Sequence, residues 1–208
     1  MAASDLWPVI HGERAALATD LENLTDAGWS TPSLCTGWSV RDVLGHLTAT
    51  ARLTPPTFLA GLIACGFRFN AMSARNLARE TTGAPSDTLA AFRTVLRSTS
   101  HPPGPTESWL GETIVHGEDI RRPLGIAHHY PVEAVVQIAD FYPRSNLLLH
   151  SKKRIAGLTL RATDTGWWTG SGPEVTGPLL SLVLAMTGRR SALADLGGEG
   201  LDTLRTRS

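Results

Sequence analysis

Apolar residues recur every three or four positions through the first 150 residues of this chain, and alternate just beyond Lys152. The first spacing is that of one helix face, the second that of a half-buried strand. Leu6, Ile10, Leu17, Leu21 and Leu24, set among charged residues, predict an amphipathic helix over 4–25, interrupted by the Gly-Trp-Ser-Thr-Pro-Ser run at 28–33. Ser39 with Asp42 three residues on has the form of a capping box opening a second helix. That helix runs to about Arg52, where Pro55-Pro56 must end or kink it. A third helical stretch covers 56–80 with a break near Gly66, and Ser86 is expected to cap a short helix carrying Leu89, Phe92, Val95 and Leu96. The proline-rich run 101–105 reads as a loop. A further helix follows, stopped by Pro123-Leu124-Gly125, and 132–150 is expected to be helical although Pro143 sits inside it.

After Lys152 the period becomes two. Leu158, Leu160 and Ala162 alternate with Thr159 and Arg161, Asp164-Thr165-Gly166 is a turn, and Trp167-Trp168-Thr169 is the return strand of a hairpin. An apolar helix is expected over 178–187. The chain therefore reads as mainly α, with a helical bundle over 1–150 and a small α+β domain over 151–208. There is no internal repeat and no low-complexity tract.

Composition narrows the classes. Across 208 residues, 42% are hydrophobic and 18% charged, enough to bury a core. Nineteen basic residues balance nineteen acidic ones, so the basic stripe that offsets phosphate charge is missing and a nucleic-acid partner is not expected. Two cysteines, Cys35 and Cys65, are too few for a disulfide framework. The first six residues carry neither a basic nor an apolar signal segment, and the run 179–186 is far short of the roughly 20 residues that span a bilayer. The expectation is a soluble cytoplasmic protein with no membrane partner.

The candidate chemistry lies in two helices. Glu112 and His116 are four apart, hence neighbours on one helix face, and Asp119 returns to nearly the same angle. His46 lies in the mostly apolar second helix. Two imidazoles and one carboxylate could hold a divalent metal with coordination positions left open. Each also has an ordinary reading: His46 as a core histidine, Glu112 and His116 as an i,i+4 surface pair. A carboxylate and an imidazole within an apolar stripe are costly to bury unless something satisfies them. Bundles commonly hold metals through inward Glu and His.

The segment 29–47 (WSTPSLCTGWSVRDVLGHL) resembles the opening signature of the mycothiol-dependent maleylpyruvate isomerase family, whose helical domain belongs to the DinB-like metal-binding bundles. The segment 111–125 (GETIVHGEDIRRPLG) resembles its second signature. The likeness is loose over 52–107 and resumes at 157–164, 172–178 and 187–189. It implies a DinB-like four-helix bundle with a small C-terminal α+β domain. It also implies a divalent metal, often zinc, on His46, Glu112 and His116, and mycothiol, a sugar-containing thiol, as cofactor. An open metal site drives a coordinated thiol toward thiolate. The expected activity is then a thiol transferase or cis–trans isomerase acting on an electrophilic small molecule.

Asp119 is a candidate second carboxylate, orienting a histidine ring or accepting a proton, or else a purely structural partner. Arg189 could bind a substrate carboxylate bidentately, or serve as a helix C-terminal cation beside Gly188. Trp38 is a candidate wall of the cofactor pocket and Trp29 a packing residue. Cys35 and Cys65 are read as small buried hydrophobes. His11, His101, His128, His129 and His150 have no partner spacing. A hydrolase using metal-activated water and a non-catalytic metal or thiol carrier remain open alternatives.

Overall fold

The computed structural model describes residues 5–146 and 149–207. The expected helix start at Ser4 and residues 147–148 of the expected 132–150 helix lie outside them. The chain forms two compact units, 1–128 and 129–208.

In the first unit, α1 (Trp7–Asp20) and the single turn α2 (Asp26–Trp29) precede α3 (Val40–Arg52), α4 (Pro55–Ala64), α5 (Phe69–Glu80), α6 (Pro85–Arg93) and α7 (Thr106–Leu124). Helix α3 starts as its capping box requires, the Ser39 side chain accepting from the Asp42 N–H and the Asp42 carboxylate accepting from the Ser39 N–H at 2.9 Å. The break near Gly66 separates α4 from α5. Ser86 does not cap α6. Pro85 takes the first helical position instead, and Asp87 Oδ2 reaches back to the Ala84 N–H at 2.8 Å. Pro123 is tolerated in the last turn of α7, which Gly125 ends in the left-handed conformation (φ 68°).

Helices α1, α3, α6 and α7 pack in a ring: α1 on α7, α7 on α3, α3 on α6 and α6 on α1. Their shared core includes Leu17, Leu21, Val43, Leu44, Leu47, Phe92 and Ile120, with Trp29 buried at one end. Helix α5 packs on the outer side of α3. Helix α4 buries no residue and leaves Leu59, Ile63 and the following Phe67 exposed.

The second unit departs most from expectation. The predicted 132–150 helix ends as α8 (Val132–Phe141) with a 3₁₀ turn at Tyr142–Arg144, where Pro143 forfeits a helical N–H. A short α9 (Ser151–Arg154) leads to β1 (Thr159–Ala162), β2 (Trp168–Gly170) and β3 (Glu174–Gly177), then α10 (Leu179–Met186), a 3₁₀ turn over Arg190–Asp195, and α11 (Leu201–Arg207). The sheet order is β2-β1-β3. Strand β2 pairs antiparallel to β1 (Leu160 opposite Thr169), and β3 pairs parallel to it (Leu160 opposite Val175). The third strand was not expected: Glu-Val-Thr-Gly is too short for its alternation to register. Apolar α8 packs on α10 rather than extending the bundle, so the units meet at 128/129 where the sequence pattern divides the chain at 150/151. Trp167 Nε1 donates to Asp140 Oδ1 at 2.9 Å, tying α8 to the hairpin. Among the described residues, no single helix is long and apolar enough to cross a membrane.

Candidate functional site

Helices α3 and α7 pack against each other and bring His46 to Glu112, the Nε2 and Oε1 atoms 3.6 Å apart. That is too long for a hydrogen bond. His116 lies one turn further along α7, its ring edge-on to His46 with centroids 5.0 Å apart. Trp38 covers His46 from the loop before α3, centroids 5.1 Å apart.

That loop is built to hold its side chains. Pro32 and Ser39 form an isolated bridge, Ser33 donates from both N–H and Oγ to the Trp38 carbonyl, and Gly37 turns the chain at φ 79°. The Leu34 N–H donates to the Asp119 carbonyl at 3.2 Å, fastening the loop to α7. Cys35 therefore faces α7. It is half-buried rather than a buried hydrophobe, and its thiol donates to Asp119 Oδ2 at 3.0 Å. Cys65 is also half-buried, at the end of α4.

Asp119 is fully buried, and the same Oδ2 lies 2.8 Å from His116 Nδ1. A carboxylate on Nδ1 favours the tautomer with its proton there, which leaves Nε2 as the basic ring nitrogen. Glu112 is surrounded differently. Burial raises its carboxyl above the ordinary range, against His116, a Thr50 hydrogen bond and Arg14, which all favour the charged form. Arg14 is itself buried on α1, donating to the Val95 and Ser98 carbonyls at 3.3 and 2.8 Å just beyond α6.

Two donor sets overlap at His116. Cys35, His116 and Asp119 bring ligand atoms within 4.8 Å of one another. Their short contacts, 2.8 and 3.0 Å, are hydrogen-bond lengths. Donors around a tetrahedral zinc with bonds of about 2.1 Å stand about 3.4 Å apart. The 3.6 Å separation of His46 and Glu112 is nearer that spacing. His46, Glu112 and His116 are residue types that can hold a divalent metal, and Cys35 and Asp119 lie on the Nδ1 side of His116.

Arg189 belongs to the second unit. It is buried after α10, and its Nη1 donates to the Thr187 carbonyl at 3.0 Å, the position of a helix-end cation. Its charge adds to burial in lowering the pKa of Arg154. His128, for which spacing gave no partner, lies 2.7 Å from Glu13 through Nε2. That pair links residues 115 positions apart and has no local signal.

Residues 10–121 match the family profile described as "Mycothiol maleylpyruvate isomerase N-terminal domain", and the chain belongs to that family. Two solved structures share its fold. They are the mycothiol-dependent maleylpyruvate isomerase and a histidine-to-alanine mutant of it, each with TM-score 0.63 and 16% identity, covering 93% of this chain and 91% of their own. No curated protein matches the chain in sequence. Family membership bears out the expectation of an isomerase- or transferase-type enzyme and of a mainly helical fold with a small C-terminal sheet.

Proposed function

We propose that this chain is a metal-dependent enzyme that uses a low-molecular-weight thiol, mycothiol, for thiol transfer to an electrophilic small molecule or for its cis–trans isomerisation. His46, Glu112 and His116 would hold the metal, for which the two-nitrogen, one-carboxylate set suits zinc. When bound, a divalent metal supplies the Lewis acidity that favours a thiolate over a thiol near neutral pH. The observation that carries the reading is the opposition of His46 and Glu112 at 3.6 Å, with His116 one turn on and oriented through Nδ1 by a fully buried carboxylate.

Each neighbouring residue has a task in this reading. Asp119 keeps the His116 proton on Nδ1 and the ring in place. Arg14 and Thr50 favour the charged form of Glu112. Trp38 shields one side of His46 from water. Arg189 enters on sequence grounds alone, as a binder of a substrate carboxylate.

The test is the initial rate of conjugation of a bimane electrophile, and of maleylpyruvate isomerisation, by zinc-loaded protein over a range of mycothiol concentrations. A rate in either assay that requires mycothiol, disappears on chelation and returns with zinc supports the reading. Turnover indifferent to the thiol, or no turnover together with no thiol binding, overturns it.

A further inference from the structure

Helix α4 stands apart from the bundle core. It packs on α5, where Phe58 meets Phe69 with ring centroids 6.3 Å apart and a Cβ on Gly61 would meet Met72 Sδ at 3.1 Å. Its other face is apolar and open. Leu59 and Ile63, neighbours on the helix surface, are 53% and 56% exposed, and Phe67, four residues further on, is 70% exposed. These are three of the six large apolar side chains that the described residues expose. Apolar side chains scattered singly over a surface need no explanation, whereas a contiguous group does.

The backbone presents Phe67 at a cost. It is held in the left-handed region, at φ 59°, which a bulky residue rarely adopts. Its N–H donates to the Leu62 carbonyl at 2.8 Å and the Gly66 N–H to the Ile63 carbonyl at 2.9 Å, closing the end of α4. The chain bends by 109° between α4 and α5, and Phe67 occupies that corner. A strained backbone that turns a large apolar side chain toward solvent points to contact with an apolar phase.

The charge around the corner is one-sided. Residues 55–79 carry three arginines and no lysine, aspartate or glutamate, in a chain whose nineteen basic residues equal its nineteen acidic ones. Arg68, Arg75 and Arg79 are all exposed, and their spacing puts them on one stripe that starts beside Phe67 and runs along α5. Among the described residues none of the three makes an ion pair, and Arg68 Nε donates to the Cys65 carbonyl at 3.4 Å. Anionic lipid complements this arrangement: apolar tips enter the boundary between headgroups and acyl chains, and guanidinium groups meet phosphates. A second copy of the chain fits less well, because a two-fold contact here would set arginines against arginines with no acidic residue in the segment to offset them. A protein partner that received these anchors in its pockets would need acidic groups placed around them, whereas a lipid surface supplies both at once.

We propose that the outer face of α4 and the Phe67 corner form a docking surface for an anionic lipid bilayer, with Leu59, Ile63 and Phe67 at the headgroup–acyl boundary and Arg68, Arg75 and Arg79 drawn to lipid phosphates. Contact of this kind is peripheral and needs no spanning helix.

The experiment is co-sedimentation of the full chain with vesicles of equimolar phosphatidylglycerol and phosphatidylcholine, and with vesicles of phosphatidylcholine alone. Wild type is compared with Ile63→Ser/Phe67→Asn and with Arg68→Gln/Arg75→Gln. Wild type is expected to partition onto the anionic vesicles at least about tenfold more strongly than onto the neutral ones, and less strongly as salt is raised. Each double variant is expected to lose about tenfold or more in that partition. Asparagine tolerates the left-handed conformation better than phenylalanine, so Ile63→Ser/Phe67→Asn should melt no lower than wild type, which separates loss of a lipid contact from loss of the fold. Wild type that stays in solution with the anionic vesicles overturns the proposal, as does binding that ignores lipid charge or survives both pairs of substitutions. So does a dimer in sedimentation equilibrium that Ile63→Ser/Phe67→Asn abolishes while wild type ignores the vesicles, since the face would then join two copies of the chain.

Discussion

Helix α7 carries two sets of charged side chains, and they are built on different plans. On one side the pairs are closed: Arg121 Nε donates to Asp20 Oδ2 at 2.7 Å and Arg122 Nε to Glu118 Oε2 at 2.9 Å, and on α1 Glu13 meets His128 at 2.7 Å. On the other side Glu112 and His46 stand 3.6 Å apart, and burial holds the Glu112 carboxyl above its ordinary range. Both sets lie within the bundle. Buried charge needs a partner in contact to offset lost hydration, and the first set provides one. In the second, His46 and Glu112 stand beyond hydrogen-bond distance of each other. In the proposed reading the closed Arg121 and Arg122 pairs hold the bundle, the 3.6 Å gap between His46 and Glu112 marks the residues positioned for chemistry, and the closed His116–Asp119 pair at 2.8 Å orients one of them.

Substitutions on the two sides should therefore fail in different ways. His116→Ala is expected to lower zinc affinity more than a hundredfold, beyond the roughly 10–100-fold effect of residues outside the ligand set. Competition with a chromogenic chelator measures this, and circular dichroism should show the helices retained. Arg121→Ala leaves Asp20 beside an empty site and is expected to cost about 3–5 kcal/mol in chemical denaturation. Its zinc content should match wild type. Loss of zinc from Arg121→Ala would erase the distinction between the two sides.

Asp119→Asn sharpens the comparison from within. It removes the charge on His116 Nδ1 while keeping the side-chain shape, and a loss of roughly 10–100-fold in zinc affinity is expected. Glu112→Gln is read through pH. A raised carboxyl pKa means that the metal-free folded chain binds the Glu112 proton more tightly than the unfolded chain does. Stability from this group is then present at low pH and lost as pH rises through the carboxylate range. Metal-free Glu112→Gln should accordingly melt above wild type near about pH 8, the advantage fading toward about pH 4. Saturating zinc should reverse the order, because glutamine is the poorer ligand.

Much of this was legible in the chain because the signals were local. The capping box at Ser39, the break near Gly66 and the 158–169 hairpin are all written within a few residues. So is the one-turn spacing of Glu112 and His116. What escaped depends on long-range packing. Asp119 meets Cys35 across 84 positions, and Glu13 meets His128 across 115, with no periodicity to announce either. Nor does the sequence say that Pro143 ends a helix rather than kinking it.

Cys35 gives the smallest expected effect and the most direct check on which donors bind metal. Its thiol is a weak donor, and Asp119 Oδ2 also has His116 Nδ1 at 2.8 Å. Cys35→Ala should therefore cost less than about tenfold in zinc affinity, and Cys35→Ser, which keeps a donor, less still. A cysteine that ligated the metal would behave otherwise. Either substitution would then cost as much as His116→Ala, and the cobalt-substituted protein without added thiol would show a near-ultraviolet thiolate-to-cobalt charge-transfer band. That outcome would move the centre from the His46–Glu112 side of His116 to the Cys35–Asp119 side, and His116 would bind through Nδ1 instead of Nε2. The absence of that band, with affinity nearly retained in both variants, leaves Cys35 a residue that steadies Asp119, and through it the histidine.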